Sequence, residues 1–138
     1  MSSDRSEESA QSVPALRVAL VTGGAGAIGA AICKALAAEG RRVAVCDLSL
    51  EAAKAVAQSI GGLGFALDVT RTDAVAACVA AVSAQLGPIE ILVNCAGWDK
   101  PMPFVETTPE FWDKILAINL KGPIACMRAA LTKMIPQE

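Results

Sequence analysis

The chain has 138 residues, a formal net charge of −2 at pH 7, 54% hydrophobic but only 4% aromatic residues, and neither histidine nor tyrosine. That length suits one compact domain, and the scattered basic residues build no cationic field for a nucleic-acid backbone, so no nucleic-acid partner is expected. Lack of histidine removes Ser-His and Cys-His nucleophile pairs, imidazole metal ligands and histidine bases; five cysteines without a C-x-x-C pair argue against a disulfide framework and against a metal site.

Residues 1–14, rich in Ser, Glu and Gln, carry too little apolar surface to offset the entropy of ordering, so a disordered tail is expected before a single domain over 15–138. The start has no apolar segment behind a basic stretch, and no later run of about 18 apolar residues is free of charge, so neither export nor membrane association is expected. With unpaired cysteines, this points to a reducing cytoplasm. The apolar run 16–21 flows into Thr22-Gly23-Gly24, the pattern of a buried strand ending in a tight turn. Ile28, Ile32 and Leu36 then recur at helical spacing, with Gly40 placed for a left-handed stop. A strand over 43–46, a helix over 50–60 and, after Gly61-Gly62, a strand over 63–67 follow. A helix over 73–86 is closed by Gly87-Pro88, and a fourth strand covers 89–93. Thr108-Pro109-Glu110 places a capping oxygen, a proline and an acid where a helix begins; the spacing predicts one last helix from there towards Met134. Apolar strands alternating with helices predict an α/β fold, a doubly wound parallel sheet covered on both faces.

Gly24-x-Gly26-x-x-Gly29 lies between the first strand and the first helix, where backbone N–H groups and the helix dipole hold a pyrophosphate; the bland alternative is a plain turn. Asp47 ends the second strand eighteen residues beyond Gly29, near the spacing of about 20 expected for an acid that hydrogen-bonds an adenosine ribose. The competing reading of Asp47 is a cap for the next helix. A carboxylate facing the ribose repels a 2′-phosphate, which favours NAD over NADP; Arg41 and Arg42 are the cations near enough in sequence to oppose that.

Thr22-Gly23-Gly24-Ala25-Gly26-Ala27-Ile28-Gly29, Asp68-Val69, Asn94-Cys95-Ala96-Gly97 and Asn119-Leu120-Lys121-Gly122 together resemble the short-chain dehydrogenase/reductase family over about residues 15–135. The resemblance implies a Rossmann-type sheet, an NAD-dependent oxidoreductase and a small-molecule hydroxyl or keto substrate. By its T-G-x-x-x-G-x-G pattern, Gly23, Ala27 and Gly29 occupy the three glycine positions, and Ala27 departs from it by one methyl group. It further implies that Thr22, Gly23, Gly26, Ala27, Ile28 and Gly29 shape the turn and that Asp47 and Leu48 face the ribose. Asp68 and Val69 would contact adenine, and Asn94, Ala96 and Gly97 would form the cofactor wall. Asn119 matches the family's active-site asparagine, whose carbonyl is thought to relay a proton through water. Pro123, four residues on, has no N–H to occupy that carbonyl; a simple kink is the other reading.

The family's chemistry depends on a downstream Ser and a Tyr-x-x-x-Lys, and this sequence has no tyrosine. The expectation is therefore a sheet truncated after its fourth strand and the following helix, inactive by itself and marginally stable or prone to aggregate through an uncovered edge and helix. A catalytically inactive NAD-binding module is the alternative reading. Full-length relatives of this kind are often homo-oligomers. Cys95 reads as a small buried residue more than as a reactive thiol. The loop from Trp98 to Phe104 resembles that of reductases and dehydrogenases acting on 3-oxoacyl or 2-hydroxycyclohexane-carboxyl thioesters, which suggests a hydroxyacyl thioester; alternatively Trp98 and Phe104 only pack on the last helix.

Overall fold

The computed structural model describes residues 16–136, so the tail expected over 1–14 lies outside the described residues. Four strands, β1 (Val18–Thr22), β2 (Arg42–Asp47), β3 (Leu63–Ala66) and β4 (Ile89–Asn94), form one sheet in the order β3-β2-β1-β4, and every pairing is parallel. Helices α1 (Ala27–Ala38), α2 (Leu50–Ile60) and α3 (Thr72–Leu86) connect them, and α4 (Pro109–Leu116) and α5 (Gly122–Met134) follow β4 after a short 3-10 turn at Phe104–Glu106. This is the expected α/β class.

Alternation along the two central strands explains how one sheet supports two cores. Val18 and Leu20 of β1, with Ala44 and Cys46 of β2, face α3 and α5; Val21, Val43 and Val45 face α1 and α2. All of these side chains are buried, each fully buried Val or Leu contributing about 1.5–3 kcal/mol, so β1 and β2 read as continuous apolar runs. On the α1 side the layer is thin. Gly64 brings the sheet so close to α2 that a methyl group there would sit 2.6 Å from the Lys54 nitrogen, and Ala53 and Ala57 are the matching small residues of the helix.

Helix boundaries follow the capping chemistry read from the sequence. Ser49 accepts the Ala52 N–H into its hydroxyl to open α2, and Gly61 closes it in the left-handed region at φ 69°. Thr108 accepts the Phe111 N–H to open α4 with Pro109 in the first turn.

One expectation needs correction. The last helix is not uniform from Pro109 to Met134: Ala117–Lys121 widens into a π-helical turn, in which the Gly122 N–H donates to the Ala117 carbonyl five residues back. Pro123 supplies the reason, because its missing N–H and its ring disrupt the α-helical ladder over the preceding turn, and one wide turn accommodates the break without a sharp bend.

The sheet is unevenly protected. On β4, Ile89 is buried while Ile91, Leu92 and Val93 are only half-buried, and beyond the sheet Leu116, Leu120, Ile124, Met127, Leu131 and Ile135 are 44–58% exposed at helical spacing.

Candidate functional site

In the strand order the chain's progress reverses between β1 and β4, and in open parallel sheets the crevice at the carboxyl ends beside such a switch point is where ligands bind. A cavity of about 780 Å³ lies there, lined by the segments that follow all four strands. Gly23, Gly26, Ala27, Ile28 and Gly29 follow β1, Asp47 and Leu48 end β2, Leu67–Thr70 follow β3, and Cys95–Trp98 follow β4. Lys114, Ala117 and Ile118 complete the wall.

The turn after β1 is built by close backbone approach. Gly23 has φ 62° and lies so near the segment after β4 that a methyl group on it would meet the Ala96 nitrogen at 2.8 Å. Gly29 packs directly on Gly23: its missing Cβ would collide with the Gly23 carbonyl oxygen. Gly24, the first glycine of the literal G-x-G-x-x-G, has a different role. It is buried, its N–H donates to the Cys46 carbonyl at 2.9 Å, and it is not in the cavity wall. The register that reaches the cavity is therefore the one beginning at Gly23.

Helix α1 opens at this wall without a partner of its own. Gly26 is its N-cap, no side chain caps it and no acid stands in its first turn, in contrast to α2 with Ser49 and Glu51. Gly26–Gly29 line the cavity, so the first-turn N–H groups lie at its wall without a side-chain cap.

Asp47 ties two strand ends together. One carboxylate oxygen accepts the Ala25 N–H at 3.1 Å and the other accepts the Ser49 N–H at 3.3 Å, while Ser49 itself caps α2. The capping role considered for Asp47 thus belongs to its neighbour. Arg42 opens β2 and Asp47 closes it, so five steps of about 3.3 Å place Arg42 at the opposite edge of the sheet, and Arg41 pairs there with Glu39. Leu48 (74% exposed) and Ile28 (72%) present bare apolar surface to the cavity mouth.

Asp68 is held by its own turn. One of its oxygens accepts both the Thr70 hydroxyl at 2.6 Å and the Thr70 N–H at 2.9 Å, and the hydroxyl bond foremost, then the N–H, holds its carboxyl below the usual carboxylate range. Val69 beside it is buried, and Gly122 of the last helix has no room for a methyl group because Val69 Cγ2 would lie 2.7 Å from it.

Three residues named from the sequence stand outside the wall. Thr22 is buried and acts structurally: its hydroxyl oxygen accepts the N–H groups of Cys95 and Ala96, each at 3.1 Å, joining β1 to the segment after β4. Asn94 ends β4 and is exposed. Asn119 lies in the π turn, where its carboxamide clamps the backbone of Trp98, accepting the Trp98 N–H at 3.0 Å and donating to the Trp98 carbonyl at 2.7 Å; a further bond goes to the Ile115 carbonyl.

The sequence reading reached Trp98 through its loop but passed over other wall residues, notably Thr70 and Lys114. The Lys114 ammonium stands 3.8 Å over the Trp98 ring, whose other neighbour is Phe111 at 5.7 Å between centroids. Its signal was present, since Lys114 lies one and a half turns before Asn119 on the same helix, but nothing in sequence spacing links it to Trp98. Phe104 is 81% exposed and lines no described cavity, so of the two loop aromatics only Trp98 belongs to the wall. No group of His, Cys, Asp and Glu that could hold a metal ion occurs among the described residues.

Comparison with known proteins agrees with this geometry. The family model for short chain dehydrogenase matches residues 17–138. D-threitol dehydrogenase of Mycolicibacterium smegmatis is 44% identical over 124 residues, which is 86% of this chain and 48% of that protein. Acetoacetyl-CoA reductase of Rhizobium meliloti is 46% identical over 107 residues, 77% of this chain and 44% of that protein. Among solved structures, one described as a ribose-5-phosphate isomerase from Brucella melitensis superposes with a TM-score of 0.82 at 36% identity over 87% of this chain and 47% of that one. One described as a short-chain dehydrogenase from Novosphingobium aromaticivorans superposes with a TM-score of 0.81 at 28% identity, covering 86% and 45% respectively. The chain spans about half the length of the curated relatives it matches.

Proposed function

The chain belongs to the short-chain dehydrogenase family of oxidoreductases, and from that premise we propose that its cavity binds NAD, with the adenosine ribose on Asp47 and the pyrophosphate at the open end of α1. The observation that carries this reading is the placement of the Asp47 carboxylate beside the glycine turn, bonded to the Ala25 N–H across the mouth of the cavity. Glycines whose missing side chains leave backbone exposed, uncapped N–H groups and exposed Leu48 together fit an anionic, flat-ringed ligand. In this assignment Leu48 and Val69 border the adenine and Thr70 keeps Asp68 ionised to accept from it. Ala96 and Gly97 approach the far half of the dinucleotide.

NAD is preferred to NADP because a ribose 2′-phosphate would meet the Asp47 charge, on the order of 4 kcal/mol per charge pair at about 4 Å in a moderate dielectric, and Arg41 and Arg42 stand at the other edge of the sheet. When bound, the cofactor supplies hydride transfer, and the partner is a small hydroxyl or keto compound. A hydroxyacyl thioester remains our substrate assignment. The D-threitol dehydrogenase relative makes a polyol the second candidate, so both classes belong in one substrate panel. The chain acts in a reducing compartment, in which its five cysteines rest as free thiols until an oxidant reaches them. Copies associate through the exposed stripe of the last helix.

Chemistry is a separate matter from binding. Proton exchange with a substrate hydroxyl needs an acid–base group poised near neutrality, and the sequence has neither tyrosine nor histidine to serve. Behind the cavity wall, Asn119 positions Trp98, and its helix carbonyl is proposed to hold a water for proton relay, which is too little for turnover. The 138 residues are thus assigned cofactor binding without turnover. Titration with NADH followed by Trp fluorescence, then a turnover assay, tests this: saturable binding with no turnover is expected, and no binding at millimolar NADH overturns the assignment.

A further inference from the structure

We propose that Cys46 and Cys78 form an oxidisable dithiol, a modification site in the core beneath the cavity that takes a hydroperoxide as its oxidant. Their sulfurs lie 3.7 Å apart, one from the end of β2 and the other from the second turn of α3. A disulfide bond is about 2.0 Å long, so closure asks for a combined movement under about 2 Å, shared between two side-chain rotations and a slight settling of α3 on the sheet. The other three cysteines, Cys33, Cys95 and Cys126, are free thiols with no sulfur partner within hydrogen-bonding distance among the described residues.

The two thiols are unequal in a way that gives each a part. Cys46 is wholly buried at 0% exposure, whereas Cys78 keeps 6% and is the more exposed of the two. A hydrogen bond joins the two thiols, and either sulfur can be its donor. That hydrogen bond lowers the Cys78 pKa from its ordinary value and, with burial, raises that of Cys46. Burial first, and then the charge of the nearby Cys78, push Cys126 on the neighbouring helix up to about 11, so it stays protonated.

The reaction runs in two steps. The Cys78 thiolate attacks the near oxygen of the hydroperoxide: an S–O bond forms, the O–O bond breaks, and the far oxygen leaves with a proton as water or an alcohol. The Cys46 sulfur, giving up its proton, then attacks the Cys78 sulfur, forming S–S and breaking S–O, and hydroxide leaves with that proton as water. Two thiols have lost two electrons and two protons to the peroxide.

The consequence reaches the surface because Cys46 is tied to the site above it. Its carbonyl accepts the Gly24 N–H at 2.9 Å, and its successor Asp47 holds the Ala25 N–H. Drawing Cys46 towards α3 pulls on both bonds that fix the glycine turn.

Intact-mass analysis and thiol counting on the whole chain, before and after hydrogen peroxide, test the proposal. Expected are a fall from five free thiols to three with loss of two hydrogens, reversal by dithiothreitol, and no such loss in Cys46→Ala or Cys78→Ala; Cys95→Ser keeps the reaction. Five thiols persisting at peroxide levels that oxidise a free cysteine peptide overturn it, as does a cross-link surviving in Cys46→Ala. If the alanine proteins do not fold, peptide mapping of the oxidised wild type and Cys95→Ser decides which sulfurs are joined. A second readout rests on the cofactor assignment above: the cross-linked chain should bind NADH about tenfold more weakly, the response to one lost hydrogen bond of the pocket. Equal affinity in both redox states refutes the coupling, whereas failure of the reduced protein to bind NADH counts against the cofactor assignment and leaves the dithiol standing.

Discussion

Gly29 carries more of the site than any side chain, because the Gly23 carbonyl occupies the space where its Cβ would be. Gly29→Ala should cost about 1–3 kcal/mol of stability in urea unfolding, as overpacking does, and loosen NADH with it. Asp47→Ala removes a charged acceptor, worth about 1.5–3 kcal/mol, so NADH affinity should fall about 10- to 100-fold and the preference over NADPH should narrow; equal affinity for the two proteins would refute the ribose assignment. The Thr70 hydroxyl is the largest single cause of the depressed Asp68 pKa, so in Thr70→Val that carboxyl should titrate at a higher pH, followed by carboxyl NMR. The sign follows from linkage. A carboxyl depressed in the folded state stabilises above its unfolded pKa and loses that contribution as pH falls through its folded one, so Thr70→Val should be less stable near neutrality, with the difference vanishing in acid. At this scale the motif reading was most complete. The backbone-dependent residues Gly23 and Gly29 are legible because no other residue type fits there, whereas Thr22 was named for its place in a motif and turns out to hold two strand ends together instead of lining the cavity.

At the level of elements, the strands and the first three helices were legible to within a residue or two, since alternation of buried runs with Gly and Ser punctuation leaves little choice. The widened turn at Ala117–Lys121 was not, because a missing N–H at Pro123 says that the ladder must change without saying how. That turn places Asn119 to clamp Trp98, a contact between residues 21 apart in sequence that no spacing rule anticipates. Asn119→Ala removes both bonds to the Trp98 backbone. In a Trp112→Phe background it should raise acrylamide quenching of Trp98 and cost about 1–2 kcal/mol; unchanged quenching would show that the ring contacts with Phe111 and Lys114 hold the loop unaided.

For the molecule as a whole, the strand order leaves β4 at an edge with a long helix whose outer stripe of Leu116, Leu120, Ile124, Met127, Leu131 and Ile135 is open to water. An apolar stripe of that length favours association. The chain should therefore sediment as dimers or larger species, and Leu120→Glu combined with Leu131→Glu should shift it towards monomer while changing stability by less than about 0.5 kcal/mol, as exposed substitutions do. A sharply melting monomer in the unsubstituted chain would contradict this.

The wide turn also constrains how this helix can vary. A π turn takes one residue more than an α-helical turn to cover the same rotation, so deleting a single position between 117 and 121 should restore a regular spiral and leave everything beyond it facing as before. Cys126 and Ala130 would stay sealed against the sheet, with Met127 and Leu131 towards water. A deletion further along, in the regular helix, would instead rotate all that follows by about 100°, so a change in number is absorbed in the wide turn and nowhere beyond it.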